Sequence, residues 1–192
     1  MRKTPTGSVR QGLDTAALVL SYGRAMNKLE PPDTHYFLAA IGWLELGNVV
    51  EARAELAQLS AARQEHPDVL ELRWSLAAEQ KRWEEALEVA RALLRRAPKR
   101  SSGWLHQAYA LRRVPDGGVQ KAWEALLPAF GKFPKEATIP FNLSCYACQL
   151  GQLEAARDWL ARAVAVSGKE KVMAMALNDS DLKPLWDEIR QL

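Results

Sequence analysis

The chain has 192 residues, of which 48% are apolar and 26% charged, with a formal net charge of +3. This composition excludes wholesale disorder and suits one domain or a short repeat array. Arg2, Lys3 and Arg10 stand within the first twelve positions, which hold no acid. The remainder is charge-balanced and lacks the basic excess of a dedicated nucleic-acid or membrane-surface protein.

In chain order, residues 1–12 read as a disordered tail. Asp14 is placed to N-cap a helix over 13–32, stopped by Pro31-Pro32. The apolar run "AALVLSY" in that helix has no cleavage site after it, and no segment approaches the roughly 20 apolar residues that span a bilayer. With two cysteines and no export signal, the expected compartment is the reducing cytoplasm.

From residue 33 onward the chain repeats. "ELGNVVEARAEL", "EQKRWEEALEVA", "PDGGVQKAWEAL" and "QLGQLEAARDWL" align with an alanine in one slot: Ala52, Ala86, Ala122 and Ala156. The intervals are 34, 36 and 34 residues. Three positions earlier stand Val49, Trp83, Val119 and Leu153. Four positions later stand Leu56, Ala90, Leu126 and Leu160, and seven later Leu59, Leu93, Ala129 and Ala163. Apolar residues at −3, 0, +4 and +7 draw one stripe on a helix, and the alanine keeps that stripe small where another helix approaches.

A second helix precedes each of these: "HYFLAAIGWLEL", "VLELRWSLAAEQ", "WLHQAYALRR" and "FNLSCYACQL". The turns between them contain Gly47-Asn48 and Gly151-Gln152, while Pro115, Asp116, Gly117 and Gly118 absorb the two extra residues of the longer interval. Pro67, Pro98 and Pro134 punctuate the junctions, and Pro128 should kink the helix that holds it. The units divide at 33–66, 67–99, 100–134 and 135–168. After Gly168, residues 169–192 read as two short capping helices, with Ser180 as an N-cap. Leu182, Leu185, Trp186 and Ile189 are expected to cover the last unit's apolar face. Asp179, Asp181, Asp187 and Glu188 fit acidic helix starts.

This pattern resembles the tetratricopeptide repeat over roughly 34–168. The fourth unit matches best, through Leu143, Ser144, Leu150, Gly151, Ala156 and Ala163. Arg73 and Trp74 depart from the family pattern and point to a rotated first helix in the second unit. The closing "LNDSDLKPLW" resembles that of bacterial repeat proteins. The resemblance implies an all-α, right-handed solenoid with one domain over 13–192. It also implies that the first helices line a concave groove that holds a protein or peptide partner without catalysis.

By the same resemblance the groove positions are Phe37, Ile41 and Leu44 in the first unit, and Glu71 and Ser75, with Ala78, in the second. They are Leu105, Tyr109 and Arg112 in the third, and Phe141, Cys145 and Cys148 in the fourth. The groove would be apolar at its ends and polar in its middle, with Arg112 available to a carboxylate. Phe37 and Ile41 stand where a carboxylate clamp would begin, so that mode is not expected. Two other occupants of the groove stay equally open: the N-terminal helix, or a second copy of the chain in a homo-oligomer.

Two other function classes remain open. Arg95 to Arg100 form a basic cluster able to meet nucleic-acid phosphates, although cations also favour a helix C-terminus. Cys145 and Cys148 are spaced C-x-x-C, which suggests thiol redox chemistry or zinc. Mid-helix placement opposes the first, and the absence of two further ligands opposes the second. Trp43, Trp83 and Trp104 fall on packing slots. No phosphate loop and no nucleophile–base pair stands out, so neither a catalytic residue nor a cofactor or metal site is expected.

Overall fold

The computed structural model of the chain describes residues 29–191. The expected tail over 1–12, and all but the end of the expected helix over 13–32, lie outside the described residues. Those described form ten α-helices and no strand. They are α1 (Asp33–Glu45), α2 (Val49–Ala57), α3 (Pro67–Glu79), α4 (Trp83–Arg96), α5 (Ser101–Leu111), α6 (Val119–Phe130), α7 (Thr138–Gln149), α8 (Leu153–Ser167), α9 (Lys169–Asn178) and α10 (Trp186–Gln191). Two 3-10 turns, Ala61–Arg63 and Ser180–Leu185, complete the order. The chain forms two compact units, meeting in sequence at Pro98 and Lys99.

In the first unit α1 packs on α2 and α3 on α4; in the second, α5 packs on α6 and α7 on α8. The alanine slot is the reason these pairs close. Ala52, Ala86, Ala122 and Ala156 are wholly buried. The positions four and seven residues later are buried in all four repeats as well. The −3 positions, at the helix starts, are half-buried. At Ala156 the pair is also tied by a hydrogen bond, the buried Ser144 hydroxyl donating to the Ala156 carbonyl (2.7 Å).

Three of the four turns within pairs are the same motif. In the first, the Gly47 amide donates to the Leu44 carbonyl (2.9 Å) and that of Asn48 to Trp43 (2.8 Å). Lys81 and Arg82 repeat this after α3, and Gly151 and Gln152 after α7. These paired bonds satisfy the last carbonyls of the helix and need a left-handed residue. Gly47 and Gly151 supply it at φ 75° and 76°, whereas the equivalent position in the second pair is Lys81, at φ 57°. The turn before α6 is longer and tighter. A Cβ on Gly117 would lie 1.8 Å from the Leu111 carbonyl oxygen, so only glycine fits. Pro128 sits in the last turn of α6, which ends two residues later.

Asp33, at the start of α1, holds the loop after α2. Its carboxylate accepts from the Ser60 amide (2.7 Å) and the Ser60 hydroxyl (2.8 Å). These bonds, the backbone one foremost, depress the Asp33 pKa.

Two outcomes follow from this geometry. A left-handed residue with a side chain is strained by about 1–2 kcal/mol, part of which glycine's extra chain entropy cancels. Lys81→Gly should therefore raise unfolding stability by about 0.5–1 kcal/mol in urea titrations. Because the folded pKa of Asp33 is lowered, its contribution is present above the unfolded carboxylate pKa and lost as pH falls through the folded value. Asp33→Asn should thus lower stability at neutral pH and flatten the acid-unfolding profile below about pH 5.

Candidate functional site

In the first unit, Phe37, Ile41 and Leu44 share one side of α1. Phe37 is buried in the core with Ala40, Ala52 and Leu56; Ile41 and Leu44 are half-buried against the same core. On α3, Glu71 and Ser75 are buried, as is Ala78. The expected polar middle of a groove is therefore not open: α3 is covered along nearly its whole length. The Ser75 hydroxyl is directed inward, donating to the Glu71 carbonyl (3.1 Å). The unusual pair on this helix serves packing. Trp74 is a core residue, and the half-buried Arg73 donates to the Gln64 side chain, whose amide donates to the Leu59 carbonyl (2.6 Å).

In the second unit, Leu105 and Tyr109 are half-buried on α5, with the Arg113 guanidinium 3.5 Å from the centre of the Tyr109 ring. Phe141, Cys145 and Cys148 run along α7 and are all buried. Cys145 is 2% and Cys148 4% exposed. The expectation that this stripe is open is corrected here, and at Cys145 and Cys148 the C-terminal segment contributes to the cover. The turn Ser180–Leu185 packs on α7, with Leu182 and Leu185 fully inside the core that contains Phe141, Cys145 and Cys148. The Asp179 carboxylate lies 3.7 Å from the Cys145 sulfur, and the Gln149 side chain donates to the Asp181 carbonyl (3.1 Å).

Arg112, expected to await an external carboxylate, already holds one. Its guanidinium forms a two-pronged pair with Asp181, Nη1 to Oδ2 and Nη2 to Oδ1 (2.8 Å). The pair raises the Arg112 pKa further, its hydrogen bonds outweighing burial. The acids read as helix starts divide by role. Asp179, rather than Ser180, caps the turn, accepting from the Asp181 amide (2.9 Å). Glu188 pairs with Arg157 on α8 through two bonds of 2.6 Å. Of the four residues expected to cover the last repeat, Leu182, Leu185 and Ile189 are buried in the second unit's core, and Trp186 packs against it half-buried.

Burial, then the carboxylates of Asp179 and Asp181, pushes the Cys145 thiol pKa well up; burial, then Asp181, also raises that of Cys148. A raised pKa leaves little thiolate, the opposite of what nucleophilic thiol chemistry needs. Ligand atoms of Cys145, Asp179 and Asp181 lie within 4.8 Å of one another. Both Asp181 oxygens are already bonded to Arg112, so a fixed cation balances the acids there. In the first unit, Arg95 and Arg96 line a depression of about 280 Å³ with Glu65 and Ala92. Arg96 pairs with Glu65, which weakens that cluster's attraction for phosphate. No helix among the described residues is long and apolar enough to cross a membrane.

The thiols give a direct check. In the folded protein at pH 8, Cys145 and Cys148 should react with Ellman's reagent far more slowly than in urea-unfolded chain, at about one-hundredth the rate or less if opening costs about 2.8 kcal/mol.

Neither a protein-family model nor any curated protein matches the sequence. Solved structures do. TTC0263, a thermophilic tetratricopeptide-repeat protein of Thermus thermophilus, is 17% identical, with a TM-score of 0.57 over 83% of this chain and 100% of that one. A structure of MamA protein is 15% identical, with a TM-score of 0.62 over 83% and 86% of the two chains. MamA AMB-1 is 18% identical, with a TM-score of 0.58 over 83% and 91%. With the fourfold alanine slots and the shared turns, this likeness establishes that the chain has the tetratricopeptide-repeat fold, an all-α solenoid.

Proposed function

We propose that the protein is a non-catalytic interaction module that holds a peptide or helix of a partner protein against the first helices of its repeats. The observation that carries this reading is the state of those helices' side chains. Ile41 and Leu44 in the first unit, and Leu105 and Tyr109 in the second, are apolar or aromatic yet only half-buried. Such residues gain by further burial, at roughly 25 cal/mol per Å² of apolar surface, and aromatic anchors dominate peptide interfaces. The fold adds support, because stacked helix pairs offer an extended surface rather than a pocket for chemistry. The nucleic-acid and redox alternatives are less favoured, since Arg96 is paired and both thiols are buried with raised pKa.

The partner-facing positions are, in the first unit, Ile41 and Leu44, packed on the core of the buried Phe37, and, separately in the second, Leu105 and Tyr109, with Leu105 packed on the core of Phe141. A variant at a half-buried position separates binding from folding. Tyr109→Ala should leave far-ultraviolet circular dichroism unchanged and weaken capture of the partner about tenfold or more, as loss of an aromatic anchor does. Capture identical to that of the wild type would refute the placement on α5.

A further inference from the structure

The C-terminal segment is seated in the second unit as a bound peptide would be. Asp181 is gripped by Arg112, the C-cap residue of α5, while the turn packs on α7 and brings Leu182 and Leu185 into the core that also holds Phe141, Cys145 and Cys148. The turn therefore bridges the first helices of two successive pairs. Its backbone is read as well as its side chains, by the Gln149 amide on the Asp181 carbonyl. Lys183 and Pro184, between the two leucines, are exposed and unread. What the site recognises is thus a carboxylate followed at once by Leu-x-x-Leu.

We infer that this face of α5 and α7 is a peptide-binding site whose resident ligand is the chain's own Asp179–Leu185, and that a partner segment with a carboxylate followed by Leu-x-x-Leu competes for it. The inference deepens the interaction-module reading and rests on it. Three features select this occupant. The guanidinium meets a carboxylate in the two-pronged geometry that distinguishes acidic ligands from neutral ones. The two leucines lie three apart, so one turn of any helical or 3-10 peptide presents both. The Arg112 and Asp181 side chains keep 21% and 18% of their surface, so water and a competing carboxylate can reach the pair.

Site occupancy is legible in the thiols, because Cys145 and Cys148 are the only cysteines and both lie under this segment. The test uses the full chain and a fluorescent peptide copying residues 178–191. Leu182→Ala combined with Leu185→Ala weakens the resident. Peptide affinity should rise about tenfold or more over the wild type, the equivalent of one tight contact. Ellman reactivity of the double variant should increase and fall again when peptide is added. Adding Arg112→Gln should weaken the peptide about tenfold, the scale of a charge-assisted bond. If the double variant fails to fold, Asp181→Asn, which removes only the ion pair, should show the same order. Peptide binding indifferent to Arg112, or no binding to a folded variant whose thiols have become reactive, overturns the inference. So does exchange of labelled segments between chains in a wild-type dimer, which would make a second copy the occupant. Loss of partner capture in Tyr109→Ala with no peptide binding sinks this inference alone. Peptide binding with capture untouched in Tyr109→Ala sinks only the broader reading.

Discussion

The close approach of paired helices at a residue with no side chain beyond Cβ governs the rest of the molecule. A wholly buried alanine recurs in each second helix, and the side chains at +4 and +7 are drawn inside with it. Interiors packed to crystal-like density leave no room for a larger group at such a point. The slot therefore sets how near the two helices lie, which in turn decides which face of the first helix remains for other contacts. Ser144, donating to the Ala156 carbonyl, marks this approach, with a side chain of one helix reaching the backbone of the other.

That leftover face is where the two units part ways. In the first unit, Glu71 and Ser75 are buried on α3, while Ile41 and Leu44 are left half-covered on α1. In the second, the C-terminal segment occupies the corresponding stripe on α7 and supplies its own acid to Arg112. Arg112 is partly withdrawn from water, and Asp181 offsets what that desolvation costs its guanidinium. The same segment changes the chemistry of the cysteines. It places carboxylates beside Cys145 and excludes water, and both effects favour the protonated thiol. The C-x-x-C spacing thus accompanies buried thiols with raised pKa, because thiolate character follows surroundings and not spacing.

Outside the paired helices, polar residues do the joining. Asp33 fastens the loop after α2 through Ser60, and Gln64 links that loop to Arg73 on α3. Arg53 on α2 reaches Glu85 on α4 in a two-pronged pair, as Arg157 on α8 does with Glu188 on α10. These pairs are partly exposed and contribute modestly to stability, but their geometry orients one helix against the next.

Repeat period, helix pairing, the alanine slots and the glycine turns were all readable in the residues, because each depends on spacing along a single helix or across one turn. The burial of all four alanines and the positive φ of Gly47 and Gly151 are local consequences of those spacings. Lys81 was not readable as a left-handed residue, since the turn imposes that conformation against its side chain. Nor was the pairing of Arg112 with Asp181, which stand 69 positions apart, or the burial of Glu71, Cys145 and Cys148. One-dimensional order determined which residues share a helix face; only the tertiary structure decided what covers that face, because covering it brings together segments that no period relates.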